Sequence, residues 1–103
     1  MTLSGGAKSI VIQSNSTLWA ENLIVENYTE KGIEVVSSSV GWLGNIKVDG
    51  TKQDTDDVGI HVSNSSYAYI FGENAVNGNN NNTGGISVGG ASNIWITGNL
   101  TMD

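Results

Sequence analysis

One motif, Gly-Ile-x-Val, recurs along this chain and dictates what it can fold into. It stands at Gly32-Ile33-Glu34-Val35, Gly59-Ile60-His61-Val62 and Gly85-Ile86-Ser87-Val88, and Ser9-Ile10-Val11-Ile12 matches it one slightly shorter interval before the first. Nine residues after each leading Ile comes an aromatic, Trp19, Trp42, Tyr69 or Trp95, so every Trp in the chain falls in one column. The neighbours of that aromatic read as inward-facing: Leu18 and Ala20, Leu43 with Gly41, Ala68 and Ile70, Ile94 and Ile96. An Asn follows in each repeat (Asn22, Asn45, Asn74, Asn99), then a third alternating stretch, Leu23/Val25, Ile46/Val48, Ala75 and Leu100/Met102. An insertion at 71–73 makes the third repeat the poorest fit.

Each repeat therefore reads as three short strands separated by turns too short for helices, and nothing in the chain has helical period. An antiparallel sandwich gives no reason for equivalent positions to return at so regular an interval. A coil of three strands stacked on copies of itself does, because each rung rises by one strand spacing, roughly 4.8 Å, and like side chains lie over like. The expected fold is all-β: a single parallel β-helix domain over residues 1–103, of three to four coils starting near 9, 32, 59 and 85. Met1 to Lys8 are left to cap one end or extend as an arm. Composition agrees: no Pro, 14 Gly, thirteen Asn and twelve Ser supply turns, while a hydrophobic fraction of 38% with few charges lies outside the disordered range.

Gly85-Ile86-Ser87-Val88, Asn93-Ile94-Trp95-Ile96 and Gly98-Asn99-Leu100 together resemble the repeat of the right-handed parallel β-helix of the pectin-lyase-like superfamily. The resemblance covers Ser9 to Met102. It implies fold more than activity, because that superfamily includes lyases, hydrolases, epimerases, adhesins and phage tailspikes.

In a period-two strand the residue between two inward neighbours faces out, so Trp19, Trp42, Tyr69 and Trp95 form an exposed ladder. Such a ladder is normally covered, here by the chain's own loops, by identical subunits, or by sugar rings stacking on indole faces. The Asn column reads as an internal ladder at a bend. Gln53 to Ser66 is similar to the N-T-D-G-I-D-V-S-x-S stretch of polygalacturonases, in which paired carboxylates act as acid and base. That family also uses a second acidic pair, a Gly-His-Gly and an Arg-x-Lys, all missing here, and lyase chemistry would want clustered cations where Lys8, Lys31, Lys47 and Lys52 are scattered. No enzyme is expected. Asp54, Asp56 and Asp57 are weak candidates for Ca²⁺, His61 reads as a surface or interface residue, and Asn79 to Asn82 as a turn. Five N-x-S/T sequons, at Asn15, Asn27, Asn64, Asn81 and Asn99, follow from composition.

A net charge of −6 with no Arg argues against nucleic acid and acidic membranes, and the absence of Cys removes disulfides and thiolate chemistry. No signal peptide or membrane span is read, and no cofactor is expected. A short stack of coils exposes strand edges and an open core at its ends, and no C-terminal cap follows the third strand of the last repeat. That end is covered by another molecule, or the chain is cut from a longer β-helix. Assembly, naturally a homotrimer, answers both the open end and the aromatic column. The resemblance supplies the setting: a structural virion protein, either a capsid decoration (cement) protein or a tail spike or fibre module, in contact with itself and with other virion proteins. The alternative is a carbohydrate-binding or carbohydrate-cleaving module acting on a cell-surface polysaccharide.

Overall fold

The computed structural model describes residues 1–50, 58–77 and 85–102. No helix occurs among them; thirteen strands wind in order around one core. A leading strand, β1 (Thr2–Ser4), precedes four three-strand coils: β2 (Lys8–Ile12), β3 (Thr17–Glu21), β4 (Ile24–Glu26); β5 (Lys31–Val35), β6 (Val40–Gly44), β7 (Lys47–Asp49); β8 (Val58–Val62), β9 (Tyr67–Phe71), β10 (Glu73–Asn77); and β11 (Ile86–Val88), β12 (Asn93–Ile96), β13 (Asn99–Met102). Strands three apart in sequence pair in parallel, giving a first sheet β2-β5-β8-β11, a second β3-β6-β9-β12 and a third β1-β4-β7-β10-β13. The chain is a parallel β-solenoid that makes three full turns between β2 and β11. Thr2–Ser4 do not stand apart as an arm: Leu3 lies in register with Val25, so they form a rung of the third sheet.

The register follows the repeat. Ile10, Ile33, Ile60 and Ile86 are stacked partners, as are Ile12, Val35, Val62 and Val88. In the middle coils these columns are sealed, with Ile33, Val35, Leu43, Val48, Ile60, Val62, Ala68 and Ile70 fully buried. Burying each Val, Leu or Ile contributes about 1.5–3 kcal/mol against the cost of ordering so short a chain. Outer coils bury the same columns less completely: Ile96 and Met102 remain 43% and 46% exposed. The Gly of the motif is a steric requirement. A Cβ on Gly59 would sit 2.7 Å from both the Gly85 carbonyl oxygen and Val76 Cγ1, because the first sheet closes on the third at that corner.

Corners carry the left-handed residues. Between the first and second sheets each coil uses two in succession, Ser14-Asn15, Ser37-Ser38, Asn64-Ser65 and Gly90-Ala91, with φ between 56° and 61°. Just after each pair comes a serine that sequence reading passed over. The amide of Ser16 donates to Ser39 Oγ at 3.1 Å, Ser39 N to Ser66 Oγ at 3.1 Å, and Ser66 N to Ser92 Oγ at 3.0 Å. Each hydroxyl thus satisfies a corner amide of the preceding rung, and Ser39 and Ser66 are buried.

The expected asparagine ladder is corrected by the structure. The single left-handed position between the second and third sheets holds Asn22, Asn45, Gly72 and Gly98 at φ 57°, 52°, 82° and 79°, so Asn74 and Asn99 belong elsewhere. Glu73 is one extra residue relative to the second coil, because Phe71 pairs with Gly44 while Ala75 pairs with Lys47. The slip turns Ala75, expected to face inward, toward the outside beside Lys47 and Thr101, and puts Asn74 inside opposite Leu100. At this bulge the Asn74 side chain stands in for a peptide group. Its Oδ1 accepts from Ile46 N at 2.9 Å, and its Nδ2 donates to the Phe71 and Asn99 carbonyls at 3.0 and 3.3 Å.

Candidate functional site

The second sheet presents its outer face through three stacked columns: Thr17, Val40, Tyr67 and Asn93; Trp19, Trp42, Tyr69 and Trp95; Glu21, Gly44, Phe71 and, just past β12, Thr97. The four aromatics singled out in the sequence are register partners, and the pleat turns them away from the core. Trp19 and Trp95 are 61% and 59% exposed, while Trp42 and Tyr69 are partly covered by their neighbours. Glu21 is the one carboxylate or ammonium bearer in these columns.

Strand spacing forces the rings into mutual contact. Trp19 and Trp42 stack with centroids 5.4 Å apart and planes 12° off parallel, and Tyr69 tilts against Trp42 at 4.9 Å and 51°. Phe71 is a member the sequence reading missed, since it lay in the misaligned insertion. Its ring leans over Gly44, where a Cβ would overlap it, and reaches Trp19 at 5.7 Å and Tyr69 at 5.8 Å. The exposed edges carry two polar anchors: Trp19 Nε1 donates to Glu21 Oε2 at 2.9 Å, and Tyr69 Oη lies 3.3 Å from Thr97 Oγ1. Both faces of Trp42 are therefore occupied by rings of the chain itself. Trp95 has no ring neighbour among the described residues, so the ladder breaks before the last rung.

The other chemistry is gathered on the first sheet. Val11, Glu34, His61 and Ser87 form an outward column. Glu34 is buried and ion-paired with Lys8 Nζ at 3.1 Å. His61, read as a surface or interface residue, is half-buried, and its Nδ1 has no hydrogen-bond partner. Burial, with Lys31 and Lys8 nearby, holds its imidazole below the ordinary range, and Glu34 opposes this only in part. Ser87 is its register neighbour on the next rung, and no hydrogen bond joins the two side chains among the described residues.

A shallow groove of about 520 Å³ follows the corner between the second and third sheets, lined by Asn22, Asn45, Lys47, Glu73 and Asn74 over Ile24 and Ala75. It lies where the bulge displaces the chain. Asn45 Oδ1 accepts from Glu73 N at 3.0 Å and Asn99 Nδ2 donates to Glu73 Oε1 at 2.6 Å, so much of its polar rim is committed to the fold. Asp54, Asp56 and Asp57 lie outside the described residues, as do Asn79 to Asn82. Among the described residues no three His, Cys, Asp or Glu side chains gather as a metal site would require. Comparison of the chain with protein-family models, curated proteins and solved structures returned no match.

Proposed function

We propose that this chain is a non-enzymatic structural protein of a virion, a capsid-decorating cement protein or a tail spike or fibre module, working through self-assembly and contacts with other virion proteins. The virion setting and the pectin-lyase-like assignment rest on the resemblance of the repeat. The mode of action rests on the outer face of the second sheet. An aromatic, nearly uncharged surface is what a protein contact uses, and its rings spend their flat sides on one another and offer edges outward.

Size argues for more than a pair. Four strands of about five residues span on the order of 14 by 16 Å, well short of the ~800 Å² each partner buries in a standard interface. A homotrimer gives every copy two flanks in contact and so adds to the buried area. The exposed apolar side chains of the last coil, Val88, Ile96 and Met102, add surface that contact would bury.

The carbohydrate alternative keeps one observation in its favour, the unstacked ring of Trp95. Trp42→Ala and the milder Trp95→Ala separate the two by sedimentation and by retention on immobilised polysaccharide. Assembly predicts a smaller sedimenting species for Trp42→Ala with no sugar phenotype. Unchanged mass in both variants, with retention lost, would overturn it in favour of glycan binding, and uronate release by the intact chain would overturn the non-enzymatic reading.

A further inference from the structure

Within the aromatic face one pair is unfinished. Glu21 accepts the Trp19 indole N–H through Oε2, and its Oε1 has no partner among the described residues. Trp19 spends one face on Trp42 and touches Phe71 with an edge-tilted contact, yet stays 61% exposed, with no ring against its other face. A carboxylate held at the rim of an open indole face lacks one complement, a flat cation. The described chain does not supply it: Lys8 and Lys31 belong to the first sheet and Lys47 to the third, and Glu21 makes no ion pair among the described residues.

We infer that Trp19 and Glu21 form the docking point for an arginine side chain of a basic partner protein that is not another copy of this chain. Three observations carry this. A guanidinium is planar and weakly hydrated, so it stacks on an indole while donating to a carboxylate, whereas an ammonium is a hydrated point charge suited to one of these contacts at a time. The chain contains four Lys and no Arg, so a second copy has no guanidinium to offer. Its net charge of −6 steers basic surfaces toward it, and Glu21 is the one charge in the aromatic face itself. The inference deepens the reading of this sheet as a contact surface by naming the chemistry of a heterologous partner.

The test uses the whole chain and three octapeptides, repeats of Gly-Arg, Gly-Lys and Gly-Glu, titrated by Trp fluorescence and by NMR of the indole N–H signals, with Trp19→Phe to assign Trp19. The expected result is a shift at the Trp19 indole, with the Arg peptide bound severalfold more tightly than the Lys peptide and no binding of the Glu peptide. Glu21→Gln should weaken the Arg peptide roughly fivefold. Glu30→Gln removes the same charge at another exposed site and should leave the affinity within about twofold, since the screening length is about 8 Å in physiological salt. Equal affinity for Arg and Lys peptides, equal effects of Glu21→Gln and Glu30→Gln, or no movement of the Trp19 signal would each overturn the inference. Sedimentation of the unliganded chain reports on self-assembly separately: a monomer that still selects arginine defeats the homotrimer and leaves this inference standing.

Discussion

His61 is the one imidazole in the chain, and its environment makes a directional statement about pH. Burial and the nearby Lys31 and Lys8 disfavour the imidazolium, so the folded form holds the proton less tightly than the unfolded chain, whose His titrates near 6.5. Between the depressed folded value and 6.5 the unfolded state binds more protons, so stability is complete above pH 6.5 and declines as pH falls below it. Denaturant midpoints measured from pH 7.5 to 5.5 should drop, and His61→Gln should flatten that dependence; an unchanged slope in the variant would assign it to other groups. Asn74 teaches a different lesson at this scale. Its column otherwise holds Leu23, Ile46 and Leu100, and burying a Leu there would contribute about 1.5–3 kcal/mol. The amide is nevertheless the better occupant, because it makes three hydrogen bonds to backbone groups beside the bulge, each costing about 1–3 kcal/mol if left buried and unmet.

At the scale of strands and corners, the two sides of the solenoid obey different rules. Strands are specified by alternation and tolerate exchange between Ile, Val and Leu, whereas corners are specified by backbone sterics and permit little. Gly59→Ala forces a Cβ into the Gly85 carbonyl and the Val76 methyl, and a cost of about 1–3 kcal/mol is expected in chemical denaturation. Gly89→Ala, at a position with open space around it, should be neutral within about 0.5 kcal/mol. Equal losses at both would show that crowding at this corner is not the cause. The serine ladder was as legible as the aromatic one, since Ser16, Ser39, Ser66 and Ser92 each stand six residues after a leading Ile. In a chain with twelve Ser, however, the period is hidden by its own background. Phe71 and the true place of Asn74 were not legible, because a one-residue bulge reverses which parity faces inward.

Across the whole molecule, stability is distributed by coil. The second and third coils have neighbours on both sides and a sealed core, whereas the fourth leaves Val88, Ile96 and Met102 exposed. In a stack whose rungs touch only adjacent rungs, protection follows the number of neighbours. Native-state hydrogen exchange should therefore be slowest at β5, β6, β8 and β9 and faster at the edge strands β1 to β3 and β11 to β13, and uniform protection would show one all-or-none unit. The sequence by itself determined the coil: a regular repeat of Gly-Ile-x-Val with period-two strands has one economical solution, and the stacking of Ile on Ile and Trp on Trp follows from it. Only the tertiary structure decided how those residues spend their surfaces. Whether an indole offers its face or its edge, whether a carboxylate is paired, and whether an amide is turn or core depend on separations of a few ångströms between rungs, which spacing along the chain does not encode.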